Sequence, residues 1–302
     1  MLKEHKSDFN QGKIDKYKFM NSMQKSHSKL YEYADFIKGS NIVNIEIKDG
    51  EVYFTYIYNG YNLTMVSLPY DEASIAFTLL NFGSYESKED EVLFDLIKDC
   101  EVALDIGANT GWYTLNWLKR YKDLKVFSFE VMPLLYDKLI QNLILNGFGI
   151  KNTFNIGLSN FDKKKEFYFD KERCGASSMV NLRGTNNTQK IKCRVKKLDT
   201  IFPSLGVDQL DFIKCDVEGA EKLVFEGGLN TLKKYRPIVF TEMLRKWSKK
   251  IGYHPNDIIQ FFKKIGYSCF IIKDSNLIEF FEVNEDTLET NYFFIDKKIH
   301  KL

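Results

Sequence analysis

Apolar positions along this chain change period several times, and each change marks an element. Residues 1 to about 40 are polar, with Tyr17, Phe19, Met20, Met23, Leu30, Tyr33 and Phe36 giving a rough helical stripe. Alternation then takes over from Ile42 to Ile47, from Val52 to Tyr58 and from Tyr61 to Val66. Asp49-Gly50 and Asn59-Gly60 separate these runs, and both are hairpin turn signals. Helical patterns over Glu72–Leu80 and Lys88–Lys98 lead into a longer alternation of strands and helices. The strands read as Val102–Leu104, Lys125–Phe129, Thr153–Gly157, Phe212–Cys215 and Ile238–Thr241. The helices between and after them read as Trp112–Tyr121, Leu134–Asn146, Glu221–Tyr235 and Pro255–Lys264. Two last strands, Ser268–Ile272 and Tyr292–Ile295, close the pattern. Strands alternating with helices predict an α/β fold with a mostly parallel sheet, here of seven strands. Residues 1–80 form an N-terminal helical and small antiparallel appendage, and 81–302 the main domain. An insertion at about 160–198 carries extra strands, Lys165–Phe169 and Ile191–Val195, around a polar loop from Lys171 to Gln189.

The turn after the first core strand reads Asp105-Ile106-Gly107-Ala108-Asn109-Thr110-Gly111. An apolar strand, an acidic residue, a glycine turn and a helix together hold nucleotide-like cofactors in α/β folds. The G-x-x-x-G spacing differs from the G-x-G-x-x-G that crowds backbone N–H groups against a pyrophosphate. It suits a cofactor without phosphate, such as S-adenosylmethionine, and disfavours a nicotinamide oxidoreductase. Asp105 also reads as a cap for the following helix. Glu130 ends the second strand nineteen residues after Gly111, close to the spacing of a carboxylate that binds ribose hydroxyls. Met132 is placed to pack on an adenine ring, or to fill a gap in the core.

A second acidic cluster, Lys214-Cys215-Asp216-Val217-Glu218-Gly219-Ala220-Glu221, ends the fourth core strand. Ligands in open α/β sheets sit outside the carboxyl ends of the strands, so Asp216 belongs to the same cleft as Gly107 and Glu130. Glu221, and partly Glu218, also read as acids complementing a helix dipole. Glu242 ends the fifth strand on the same rim. Asp216 and Glu242 can hold a hydroxyl and take its proton, or share a divalent metal that acidifies it. The sequence leaves both mechanisms open. His254, before Pro255, is a candidate acid–base group with a structural alternative.

Composition narrows the class. Lys+Arg 43 against Asp+Glu 41 leaves a net charge of +2, which does not suit a dedicated nucleic-acid binder. The five cysteines are scattered with no C-x-x-C pair, so neither a disulfide framework nor a zinc site is indicated. No apolar run can span a bilayer. No secretory segment is visible at the N-terminus, so a cytoplasmic location is expected.

Taken together, Gly83-Ser84-Tyr85-Glu86, the Asp105–Gly111 turn, Phe129-Glu130-Val131-Met132-Pro133, Lys214–Glu221 and Pro237-Ile238-Val239-Phe240-Thr241-Glu242 resemble the FkbM family of S-adenosylmethionine-dependent methyltransferases. The resemblance covers about residues 80 to 275. It implies a Rossmann-like class I methyltransferase fold that O-methylates a hydroxyl, often on a sugar or secondary metabolite. It places the cofactor at Asp105, Gly107, Asn109, Gly111 and Glu130, with Tyr85 and Glu86 nearby, and the acceptor at Asp216, Glu218 and Glu242. Met243-Leu244-Arg245 stands where relatives are expected to carry a histidine close behind the Glu, so any histidine-based scheme falls to His254. By analogy, an acceptor sugar that is nucleotide-linked, or a precursor of a bacterial surface or capsule polysaccharide, fits the family. The competing readings are an RNA methyltransferase on the same fold and a non-catalytic scaffold that binds a partner.

Overall fold

In a computed structural model, residues 1–184 and 188–300 are described, with the side chains of 87–91 left aside. Residues 185–187, in the inserted polar loop, lie outside the described residues. The N-terminal segment forms two helices, α1 (Leu2–Asn10) and α2 (Lys16–Phe36). Gly12, at φ +68°, breaks the helical stripe between them, and the Asp15 carboxylate caps α2 by accepting the Lys18 N–H at 2.8 Å. Phe9 stacks on Phe19 at 4.6 Å between ring centres. Strands β1 (Ile42–Lys48), β2 (Glu51–Tyr58) and β3 (Tyr61–Val66) form an antiparallel meander. Both of its turns, Asp49-Gly50 and Asn59-Gly60, hold two successive residues at positive φ, which matches the twist of the flanking strands.

Helices α3 (Ile75–Phe82) and α4 (Ser87–Ile97) lead to β4 (Val102–Ile106), α5 (Trp112–Arg120), β5 (Lys125–Phe129), α6 (Pro133–Leu145) and β6 (Thr153–Phe154). The inner face of the meander, with Ile42, Phe54, Tyr56, Leu63 and Met65, shares one apolar core with Trp112, Trp117 and Leu139. The free edge of β3 is closed by α6. Asn142 accepts the Val66 N–H at 2.8 Å, and Asn146 accepts the Thr64 N–H at 2.9 Å. The Asn142 amide also donates to the Thr110 carbonyl at 2.8 Å, inside the glycine turn.

The inserted strands β7 (Gly157–Leu158), β8 (Lys163–Asp170) and β9 (Thr188–Lys196) make a separate sheet in the order β7-β9-β8. Phe167, Phe169, Cys193 and Val195 from this sheet pack on Met132 and Leu135. The chain continues through α7 (Leu198–Ile201), β10 (Phe212–Cys215), α8 (Glu221–Gly227), α9 (Leu229–Tyr235), β11 (Ile238–Glu242), α10 (Arg245–Ile251), α11 (Pro255–Lys264), β12 (Ser268–Lys273), β13 (Asn276–Phe280) and β14 (Asn291–Ile295).

The central sheet runs β6-β5-β4-β10-β11-β14-β12-β13. Pairings from β6 to β11 are parallel, and β14 enters antiparallel between β11 and β12. This is the mostly parallel α/β sheet that the sequence predicts. One strand exceeds the seven predicted: β13 returns on β12 through Asp274-Ser275, both at positive φ. That turn contains no glycine and β13 is only half-buried, so neither composition nor apolar period announces it. Strands β4 and β10 are buried along their whole length, as parallel central strands are. Strand order reverses between β4 and β10, which sets a crevice at their carboxyl ends. No helix among the described residues is long and apolar enough to cross a membrane.

Candidate functional site

The turn after β4 is shaped by close approach. Gly107 stands at φ +76°, and a Cβ there would meet the Asp216 carbonyl oxygen at 1.8 Å. Asn109, at φ +51°, and Gly111, at φ +98°, complete the bend into α5. The φ of Gly111 favours glycine at the start of α5, and a Cβ there would also press on the Leu139 Cδ1 at 2.5 Å. The Gly107 and Ala108 N–H groups donate to the Phe129 carbonyl at 2.9 and 3.0 Å and bind the turn to β5.

Glu130 leaves the end of β5 and reaches back to this turn. One carboxylate oxygen accepts the Asn109 N–H and the other the Met132 N–H, both at 2.8 Å. Burial pushes its carboxyl up to about 7, against the opposing pull of those two N–H groups. Each oxygen keeps a lone pair for a further donor. Glu130, Gly107, Asn109 and Met132 share a cavity of about 300 Å³ with Tyr85, Leu135, Ile156, Asp216 and Glu218. The inserted loop at Gly175–Ser177, with Met179, and Trp247 of α10 complete parts of its wall. Five predicted positions, Glu86, Asp105, Gly111, Glu242 and His254, are not part of that wall. Asp105 is fully buried and absent from the cavity lining. Its carboxylate accepts the Thr114 N–H at 3.2 Å and the Thr114 hydroxyl at 2.6 Å, so it fastens α5 rather than meeting a ligand. Gly111 shapes the turn from behind. Glu86 accepts the Tyr113 hydroxyl, while the neighbouring Tyr85 packs edge-on to Trp112 and faces the cavity.

A second group of acids is built on the ends of β10 and β11. Cys215 pairs with Thr241 across these strands, so Asp216 and Glu242 emerge at the same level. Asp216 Oδ2 lies 3.6 Å from the Lys214 ammonium, whereas its Oδ1 is buried with no hydrogen-bond partner. Glu218 Oε2 is likewise buried and unpartnered. Burial pushes Glu218 and Glu242 well up, and repulsion from Asp216 and Glu221 pushes both further. These strand ends therefore bring three carboxyl groups together, one of them set against a cation. Among the described residues, no three histidine, cysteine or carboxylate side chains are grouped as a metal site.

Two groups escaped the sequence reading. Glu221, read as a helix-dipole acid, is buried; it accepts the Val217 and Gly219 N–H groups at 3.1 and 2.9 Å and the Tyr253 hydroxyl at 3.0 Å. It pins the turn that carries Glu218, which stands at φ +52°. Lys214 is buried inside β10. A lysine within a strand otherwise apolar was the available signal, since buried lysines require partners.

His254 stands apart from the cavity. It is exposed, and its Nδ1 accepts the Asn256 N–H at 3.2 Å while its own N–H donates to Asp257 at 3.1 Å, which caps α11. Its place as an acid–base candidate is corrected to that of a helix cap. His254→Ala is expected to leave turnover within about threefold and to cost on the order of 0.5–2 kcal/mol of stability, read by steady-state rates and denaturant melts. The basic side chains of the insertion, Lys192, Arg194 and Lys196, lie on the exposed face of β9. Arg245 is spent on the carbonyls of Asn284, Glu285 and Thr287.

A family model for the methyltransferase FkbM domain matches residues 105–269, more than half of the chain. Methyltransferase sdnD of Sordaria araneosa is 27% identical over 154 residues, covering 41% of this chain and 59% of that protein. The 2-O-methyltransferase NoeI of Sinorhizobium fredii is 26% identical over 161 residues, covering 49% of this chain and 65% of that protein. The chain thus spans less than two thirds of either relative. A solved structure, methyltransferase FkbM from Methylobacillus flagellatus KT, is 14% identical at a TM-score of 0.41, covering 64% of this chain and 43% of that one.

Proposed function

This chain belongs to the FkbM family of methyltransferases, and from that premise we propose that it moves a methyl group from S-adenosylmethionine to a hydroxyl oxygen of a sugar. The observation that carries the reading is the unpartnered, buried Asp216 Oδ1 on the rim of the cavity that Glu130 and Gly107 also line. The residues fit the cofactor. The backbone opens at Gly107, where a side chain would collide, and Glu130 has one free lone pair on each oxygen for a ribose diol. Met132, Leu135 and Ile156 offer an apolar bed for a purine ring. When bound, S-adenosylmethionine supplies a methyl group made electrophilic by its sulfonium.

The chain's own part is positioning and proton handling. Asp216 accepts the hydroxyl proton of the acceptor at Oδ1. Glu218 and Glu242, held in the proton-bearing form, donate hydrogen bonds to neighbouring oxygens and orient the ring. Tyr85 and Trp247 wall the cavity and keep water from the reacting oxygen. An oxygen acceptor agrees with the activity in the name of the Sinorhizobium fredii relative.

The test is incubation with labelled S-adenosylmethionine and a panel of free sugars, methyl glycosides, nucleotide-linked sugars and tRNA, each with and without chelator. Label in a methyl ether of a sugar supports the proposal. Label confined to tRNA, or bound cofactor with no sugar methylated, overturns it. The nucleotide-linked arm decides whether the sugar arrives activated, and the chelator arm whether a divalent metal assists.

A further inference from the structure

The buried Lys214 ammonium has no part in the chemistry described above, yet it lies between the two halves of the site. Lys214 on β10 is the cross-strand neighbour of Asp105 on β4. Its Nζ donates to the Gly107 carbonyl at 3.0 Å and stands 3.7 Å from Asp105 Oδ1 and 3.6 Å from Asp216 Oδ2. The ring of Tyr113 lies 5.3 Å from the same nitrogen. Burial alone would lower the lysine, but the carboxylates of Asp216, Asp105 and Glu86 outweigh it and raise it, so the group stays charged. Asp105 Oδ1 has no hydrogen-bond partner, so this ammonium is its compensating charge. One cation thus touches the donor turn at Gly107, the strand acid behind that turn and the acceptor acid.

The two half-sites are also in van der Waals contact, because Gly107 packs directly on the Asp216 carbonyl. Contact alone fixes the Asp216 backbone and leaves its side chain free to rotate. The carboxylate is restrained on one oxygen only, the Oδ2 that faces Lys214, and this leaves Oδ1 aimed away from the cation. We propose that Lys214 is a positioning residue for methyl transfer: it ties the Asp216 carboxylate to the glycine turn and so fixes the base relative to the bound methyl donor. The proposal rests on Asp216 being the base. Lys214 acts through Asp216 and touches neither donor nor acceptor.

A double-mutant cycle tests this, with S-adenosylmethionine and the methyl glycoside turned over fastest in the panel. Lys214→Met keeps the length of the side chain and removes the charge. It is expected to lower kcat at least 30-fold while the acceptor KM and the cofactor Kd stay within about threefold. In the D216N background the same substitution is expected to change kcat less than threefold, because the group it positions has already lost its function. Lys214→Arg, which keeps the charge, is expected to recover part of the loss, and it carries the same cycle should Lys214→Met not fold. Equal losses in both backgrounds, or loss of cofactor binding in a folded K214M protein, would assign the lysine to the fold or to the donor turn alone and overturn the proposal. A D216N protein with full activity would instead sink the base assignment, which separates failure of the proposed function from failure of this inference.

Discussion

Replacing Gly107 by alanine is expected to abolish cofactor binding. Two independent costs meet at this position. The residue stands at φ +76°, where a Cβ costs roughly 1–2 kcal/mol. That Cβ would also lie 1.8 Å from the Asp216 carbonyl oxygen, a contact that only backbone movement can relieve. No flexible side chain can swing away to make room. The turn must open, and opening it breaks the Gly107 and Ala108 bonds to Phe129 and the Lys214 bond to the Gly107 carbonyl. The combined destabilisation is on the order of 3 kcal/mol or more. Calorimetric titration with S-adenosylmethionine should show affinity reduced at least 100-fold, and thermal melts a lower midpoint. Binding within tenfold of the parent protein would show that the turn does not cradle the cofactor.

Asp216→Asn is the second large effect, and it falls on a different step. Asparagine keeps the shape but cannot take a proton, so kcat should fall about 10²–10⁴-fold, the usual worth of a positioned base. Cofactor affinity should stay within about threefold, because Glu130, Met132 and the turn are untouched. Glu242→Gln supplies the contrast. Burial and the neighbouring acids keep Glu242 in its proton-bearing form, which glutamine imitates as a hydrogen-bond donor. Its kcat should stay within about tenfold. Steady-state kinetics on the two variants distinguish the assignments. Equal losses would mean that the acids act as one unit, and a larger loss in E242Q would move the base to β11.

The sequence discloses the parts of this site whose residue type has one physical use at one spacing. The Asp105–Gly111 run needs its glycines because the chain bends where β10 passes against it, and Glu130 follows at the distance one strand and one helix impose. Direction is harder to read. An acid at the end of a strand serves equally as a ligand or as an anchor, and Asp105 turns inward to Thr114 while Glu130 faces the cavity. His254 shows the same ambiguity, since a histidine before Pro255 caps a helix as readily as it moves a proton. Lys214 and Glu221 were hidden for another reason: partners that fix their roles, Asp105 on β4 and Tyr253, lie far away along the chain. The hairpin partner β13 escaped because an Asp-Ser turn at positive φ is rare enough to be passed over.

The amide of Asn142 has a consequence for the order in which this chain takes shape. It accepts from Val66, which lies 76 residues earlier in the chain, and donates to Thr110 in the glycine turn after β4. During synthesis the meander emerges long before α6. Until that helix arrives, the Thr64 and Val66 N–H groups of β3 wait without their partners, and a waiting strand edge recruits other strands. The interval before α6 is made is therefore when the nascent chain is most open to mispairing.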